Sequence, residues 1–268
     1  VDFLEEVWRI ARQAGEEILR VRSAGEIRAR RKDDASPVTD ADLASEERIL
    51  AGLEKLAPGI PCLSEEAAGA PPAEGRGLRR LFIVDPLDGT KEFVAGRDEF
   101  TVNIALVDRG EPVLGAVVAP ALGHSYLGLA GAGAWRHDAA GRSALSASGS
   151  GREKLVIVAS RSHRSPDLNA YLENLPAHEL TEIGSSLKLC LVAEGRADFY
   201  PRLSPTMEWD VAAAHAVLRA AGGEVRVLDT GEPLRYDRAQ PRNPFFVALG
   251  NRTVPWRQAL PREIATSA

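Results

Sequence analysis

With 268 residues, 44% of them hydrophobic, the chain is long enough to bury a large core, either as one domain or as two closely packed ones. A formal charge of −5 argues against a general surface for nucleic-acid polymers or anionic membranes, so positive character for an anionic ligand must be local. The two cysteines, Cys62 and Cys190, are too few and too isolated for a disulfide framework or a zinc site, which suits a reducing cytoplasm.

Phe3, Leu4, Val7, Trp8, Ala11, Ala14, Ile18 and Leu19 recur at helical spacing and predict a first long helix. Its start, Val1-Asp-Phe-Leu-Glu-Glu, is amphipathic and acidic, unlike a signal peptide, and no apolar run reaches membrane-spanning length. The expected location is cytoplasmic, with peripheral association at the inner face of the membrane left open. A basic stretch through Arg30, Arg31 and Lys32 reads as extended, with any role for Lys32 open. A second helix follows from Leu43 to Leu56, and Thr39 with Asp42 matches a capping box that the local backbone alone would justify. Asp40 on the same turn is expected to be solvated.

Cys62-Leu-Ser-Glu65-Glu66 puts an acidic pair at an element's end; one glutamate could reach a metal, and Glu66 is expected to be solvated. Apolar runs at 81–84, 101–107, 113–119 and 124–130 predict an antiparallel or mixed sheet backed by the two helices. The small, polar tract Gly141–Gly151 is the best boundary, dividing the chain into halves at 1–145 and 152–268. The second half alternates strand 155–159, helices around 166–174 and 185–194, strand 197–200, helix 211–221 and strands 224–228 and 245–249, the pattern of an α/β layer. Cys190 lies among leucines and reads as core, Cys62 as an oxidisable thiol without evident role, and Trp209 and His215 as packing residues of the last helix.

The most informative string is Leu81-Phe-Ile-Val-Asp85-Pro-Leu-Asp88-Gly-Thr90. A buried strand ends at Val84, Pro86 fixes the next φ, and Gly89 permits a sharp turn, so both aspartates can face one cleft. Carboxylate and carbonyl oxygens are the hard ligands Mg²⁺ prefers, and Asp85, Asp88 and the Leu87 carbonyl could hold one or two ions. Free N–H groups at Gly89 and Thr90 would meet a phosphate. The competing explanation is an ordinary Asp-Pro-Gly turn. Asp210, in Glu208-Trp-Asp210, falls where a helix starts and would be explained equally by a simple cap.

Together, Asp85-Pro-Leu-Asp-Gly-Thr90, Glu65, Thr39-Asp-Ala-Asp42 and Trp209-Asp-Val resemble, in order along the chain, the inositol monophosphatase superfamily of lithium-sensitive, Mg²⁺-dependent phosphatases. The strings Asp88-Gly-Thr-Lys-Glu-Phe93, Glu99–Leu106, Ser160-Arg-Ser-His163, Gly184-Ser-Ser-Leu-Lys188 and Tyr200-Pro-Arg202 resemble its 3′(2′),5′-bisphosphate nucleotidase branch. The resemblance implies a layered α-β-α-β-α sandwich of mixed α/β (α+β) class with its site between the halves. It implies metal ligands at Glu65, Asp85, Leu87 (carbonyl), Asp88 and Asp210 for about two or three Mg²⁺, with Asp85 bridging two of them. Asp42 and Thr90 would orient and deprotonate the attacking water. Asp88, Gly89, Thr90, His163, Ser185, Lys188 and Arg202 would contact the substrate. Ala212-Ala213-Ala214, where the family often carries glycine, is expected to narrow the substrate's approach to that helix.

The activity so implied is removal of the 3′-phosphate of adenosine 3′,5′-bisphosphate, or of its sulfated relative, by metal-activated water. The nearer alternative is an inositol or sugar monophosphatase of the same superfamily, and the more distant one a non-catalytic nucleotide or metal sensor. The oligomeric state is not legible.

Overall fold

The structure, a computed structural model, describes residues 2–25, 29–31, 37–66, 79–149, 152–161, 165–236, 240–251 and 253–260. Lys32, His163 and part of the 141–151 tract lie outside the described residues.

Helix α1 (Asp2–Ser23) buries Leu4, Val7, Ile10, Ala11, Ala14 and Ile18 along one face, with acids in its first turn and arginines in its last, as the helix dipole favours. Two short strands, β1 (Ala29–Arg31) and β2 (Pro37–Thr39), pair antiparallel, so Arg30 and Arg31 are extended as the sequence suggests. Helix α2 (Asp40–Leu56) opens with the expected capping box, Thr39 and Asp42 each bonding the other's backbone side.

A seven-stranded sheet follows. Its strands are β3 (Cys62–Ser64), β4 (Arg80–Asp88), β5 (Thr101–Asp108), β6 (Glu111–Ala119), β7 (His124–Leu129), β8 (Gly133–Asp138) and β9 (Gly141–Ala144), adjacent in chain order, with α3 (Thr90–Val94) between β4 and β5. Only β3 and β4 are parallel in this sheet; the other pairs are antiparallel. Strand β4 does not stop at Val84. It runs on to Asp88 with its register broken between Asp85 and Asp88, because Pro86 has no N–H to give the ladder while the chain stays extended. The expected linker is also part structure: residues 141–144 form a hairpin with β8, where Ala144 pairs with Trp135 and Arg142 lies 4.0 Å over the Trp135 ring.

The remaining elements are β10 (Leu155–Ser160), α4 (Pro166–Glu173), β11 (His178–Ile183), α5 (Leu187–Ala193), β12 (Phe199–Arg202), α6 (Ala212–Ala220), β13 (Glu224–Val227) and β14 (Phe246–Leu249). They form a five-stranded mixed sheet in the order β11-β10-β12-β14-β13. Strand β11, at the edge, has no counterpart in the sequence reading, since its alternating Glu179 and Thr181 face solvent and leave a weak apolar signal.

Period-two alternation sorts the core into layers. Phe82, Val84, Val102, Ile104, Leu114, Ala116 and Val118 meet α1 and α2 on one face of the large sheet. Ile83, Ala105, Val107 and Val117 meet α5 and α6 on the other. The far face of the small sheet, with Ile157, Phe199 and Val247, is covered by Leu168, Tyr171 and Leu172 of α4 and by Val254 and Trp256. The result is the α-β-α-β-α sandwich. Truncating a fully buried residue such as Leu4 or Ile18 to alanine would cost about 2–5 kcal/mol.

Helix α6 belongs in sequence to the small sheet but seats on the large one. A Cβ at Gly115 would lie 2.1 Å from the Ala213 carbonyl oxygen, and one at Gly128 would lie 2.5 Å from the Cα of Val217. Only glycine lets the helix backbone approach that closely. Ala212, Ala213 and Ala214 are buried and none of them lines the cleft, so they do not narrow a substrate's approach. Among the described residues, no helix is long and apolar enough to cross a membrane.

Candidate active site

Asp85 sits at the register break of β4, 1% exposed, with Oδ1 accepting the Leu87 N–H at 3.0 Å. Glu65 follows β3 on the neighbouring strand, its N–H bonded to the Val84 carbonyl. Asp210 arrives from the other side of the molecule, in the turn before α6. Its Oδ2 accepts the Met207 N–H at 2.8 Å, and Val211, the N-cap of α6, offers no side-chain cap, so the carboxylate braces the preceding turn and is not the helix cap. One oxygen from each of Glu65, Asp85 and Asp210 lies within 4.8 Å of the others.

This proximity is electrostatically costly. Burial, followed by the carboxylates of Glu65, Asp88, Asp210 and Asp42, pushes the Asp85 carboxyl well above the usual range. Asp210 is pushed up to about 7 by burial first and Asp88 next. Buried like charges of this kind call for a cation, and an all-oxygen set of carboxylates fits a hard divalent ion. Asp88 stands beside the triangle, with Oδ2 taken by Ser186 at 2.5 Å from its N and 2.7 Å from its Oγ. The Leu87 carbonyl accepts the Thr90 hydroxyl at 3.1 Å.

Asp42, in the first turn of α2, stands behind Thr90. Its Oδ2 accepts the Thr39 N–H at 2.8 Å and the Thr39 hydroxyl at 2.6 Å, while Oδ1 faces the Thr90 hydroxyl at 3.3 Å. Burial raises its pKa against the opposing pull of those bonds. The capping box therefore does two jobs, starting α2 and aiming one carboxylate oxygen at Thr90. Gly89 precedes Thr90 at φ 92°, a conformation glycine adopts without strain, and a Cβ there would lie 3.0 Å from the Glu99 carbonyl. Because α3 has five residues, any anion held here relies on the turn's own amides more than on a long helix dipole.

Apart from Asp42, these groups line a cavity of about 220 Å³ together with Lys188, Tyr200 and Arg202. Lys188 donates to the Ser185 carbonyl at 2.5 Å and lies 5.8 Å from the Tyr200 ring centre. Burial draws its pKa down to about 8. Arg202 uses Nε and Nη2 to hold the carbonyls of Ser204 and Pro205. Ser185 is strained at φ 52°, which delays the start of α5 to Leu187, two residues later than its sequence suggests. His163 cannot be placed because it lies outside the described residues.

Burial and then Glu46 push the Cys62 thiol up to about 12, which disfavours the thiolate. Cys190 and Trp209 pack in the core as expected, and His215 is buried against Tyr236. Two residues escaped the sequence reading, Ser186 and Asn103, whose side chains meet at 2.8 Å. Ser186 lies inside the string Gly184-Ser-Ser-Leu-Lys188, but nothing local shows that its hydroxyl turns toward Asp88.

A layered α/β scaffold that gathers buried carboxylates above a glycine turn, opposite buried cations, defines the class of metal-assisted phosphoryl sites. The model of the inositol monophosphatase family matches residues 2–255. The 3′(2′),5′-bisphosphate nucleotidase CysQ of Salmonella typhimurium is 48% identical over 246 residues, covering 91% of this chain and 96% of that protein. Among solved structures, CysQ from Bacteroides thetaiotaomicron superposes with a TM-score of 0.80 at 38% identity, over 93% of this chain and 97% of its own. The extragenic suppressor protein suhB from Bartonella henselae follows at a TM-score of 0.77 and 26% identity, over 98% and 99%. The chain belongs to the inositol monophosphatase family, a metal-dependent family.

Proposed function

We propose that this protein hydrolyses the 3′-phosphate of adenosine 3′,5′-bisphosphate, and of its sulfated relative, releasing phosphate. The observation that carries the reading is the 48% identity to a 3′(2′),5′-bisphosphate nucleotidase along almost the whole of both chains. The substrate is then a small phosphorylated nucleotide.

Glu65, Asp85, Asp88, Asp210 and the Leu87 carbonyl would hold about two or three Mg²⁺, and their oxygen-only chemistry suits that ion. Bound Mg²⁺ supplies Lewis acidity, acidifying water and offsetting phosphoryl charge. Asp42, held at Oδ2 by Thr39, keeps Oδ1 toward Thr90, so the pair can orient a water and take up its proton. That water attacks phosphorus, the bond from phosphorus to the ribose 3′ oxygen breaks, and that oxygen takes a proton from solvent to leave as the hydroxyl. The amides of Gly89 and Thr90 face the phosphoryl oxygens, while Ser185, Lys188 and Arg202 serve the rest of the nucleotide. No side chain needs to be phosphorylated. The two halves, 1–145 and 152–268, meet at this cleft, and the whole is read as a cytoplasmic enzyme.

Phosphate release from adenosine 3′,5′-bisphosphate, AMP and inositol 1-phosphate, each with Mg²⁺ and with chelator, tests the reading. Bisphosphate turnover that requires Mg²⁺ and is inhibited by Li⁺ is expected. A higher kcat/KM on inositol 1-phosphate would move the enzyme to the monophosphatase side, and nucleotide binding without turnover would make it a sensor.

A further inference from the structure

We propose that Ser186, through its hydroxyl, is a positioning residue that sets Asp88 and the Asp210 turn in register, so that a cation can be held between two distant parts of the chain. This rests on the metal-dependent reading of the site given above.

Ser186 occupies the N-cap position of α5, where a serine ordinarily turns its oxygen back onto the helix amides. Here the side chain makes no such bond. Its Oγ is diverted to Oδ2 of Asp88 at 2.7 Å and to the main-chain carbonyl of Asp210 at 2.8 Å. A hydroxyl has one proton, so it can donate to only one of these acceptors at a time. The third neighbour settles its direction: Asn103 Nδ2 donates to the same oxygen at 2.8 Å, occupying a lone pair and turning the proton toward Asp88 and Asp210.

Asn103 is itself registered to the site, because it is the cross-strand partner of Asp85 on β5. Ser186 is 2% exposed and Asn103 1%, so water does not compete for these bonds. The Ser186 N–H also meets Asp88 Oδ2, at 2.5 Å. With Oδ2 held twice, Asp88 has Oδ1 left to offer a cation. Asp85 is braced by Leu87 and Asp210 by Met207, each a neighbour close in sequence. Ser186 joins β4 to the turn before α6. Partners of this kind orient ligands, and their loss typically weakens metal binding about 10–100-fold.

The test is calorimetric titration of the metal-stripped full chain with Mg²⁺ alone, alongside the Mg²⁺ dependence of bisphosphate hydrolysis. Ser186→Ala keeps the backbone N–H and removes only the hydroxyl. It is expected to weaken Mg²⁺ binding about tenfold and to raise the activating Mg²⁺ midpoint in parallel, with much of the lost rate recovered at saturating metal. Ser186→Thr, which retains the hydroxyl, should restore the midpoint. Asn103→Ala approaches the same oxygen from the other side and decides the matter if Ser186→Ala does not fold; a smaller weakening is expected. Folded variants that bind Mg²⁺ within twofold of the parent would overturn the proposal. Failure of the parent to hydrolyse the bisphosphate would overturn the functional reading alone, since calorimetry reads the Ser186 effect without turnover.

Discussion

The acidic wall of the cavity is gathered from the end of β3, from β4 and from the turn before α6, whereas the cations come from α5 and β12. The acids are braced by N–H donors, from Leu87 to Asp85, Met207 to Asp210, Thr39 to Asp42 and Ser186 to Asp88. Lys188 and Arg202 are braced by carbonyls instead, those of Ser185, Ser204 and Pro205. One wall therefore concentrates negative charge that its own bonds do not cancel, and the other holds positive charge in place for an anion. The acids should govern whether the reaction happens at all, and the cations which phosphate ester is preferred.

The hardest blow to this contrast is Asp85→Asn. Phosphate release should fall at least about a thousandfold, because the central cation ligand is lost. The fold should persist, with a melting temperature no lower than the parent's in the absence of metal, since a buried like-charge contact is relieved. A near-parent rate in the folded variant would remove the acidic wall from the chemistry. Lys188→Met probes the other wall more gently. The KM for adenosine 3′,5′-bisphosphate should rise about tenfold, worth about 1.4 kcal/mol, with a smaller change for a monophosphate substrate. Equal losses on both substrates would show that Lys188 supplies general charge and not selectivity.

A further effect, on stability and not on turnover, lies outside the cleft and serves as a control on both walls. His215, buried on α6 with Nδ1 2.9 Å from the Tyr236 hydroxyl, has its pKa drawn down to about 3 by burial and then by Arg219. Its folded value is below the unfolded one near 6.5, so the unfolded chain binds the proton more readily between the two. Stability linked to this residue is complete above about pH 6.5 and is lost as pH falls toward 3, amounting to about 2 kcal/mol by pH 5. Urea unfolding at pH 7.5 and pH 5 should show His215→Leu less acid-sensitive than the parent by about that amount. An unchanged difference would mean that the ring is not held neutral in the fold.

Much of the acidic wall was legible because its signals are local. An apolar run, a proline without an N–H and a glycine at positive φ each act within a few residues, and together they announce Asp85 to Thr90. The capping box at Thr39 and Asp42 was equally readable, although its second task, aiming Asp42 at Thr90, depends on where α3 lands. Asp210 shows the limit. From sequence it fits a helix cap, yet the helix starts without one and the carboxylate turns to Met207 and the cleft. The β8–β9 hairpin was hidden by linker-like composition, and β11 by the exposed face of an edge strand. Ser186 and Asn103 gave no signal, since their meaning lies in a bond between two sheet layers.

By itself the sequence determined the order of most helices and strands, the strand–turn string that presents Asp85, Asp88 and Thr90, and the family that string belongs to. Tertiary structure decided which acids share a point in space, how Ser186 ties them, and where the cations stand. The reason is physical. Backbone preferences and side-chain periodicity act over a few residues, but bringing Asp210 to Glu65 and Asp85 requires α6 to lie against Gly115 and Gly128 of the opposite sheet, a contact that exists only when both layers are packed.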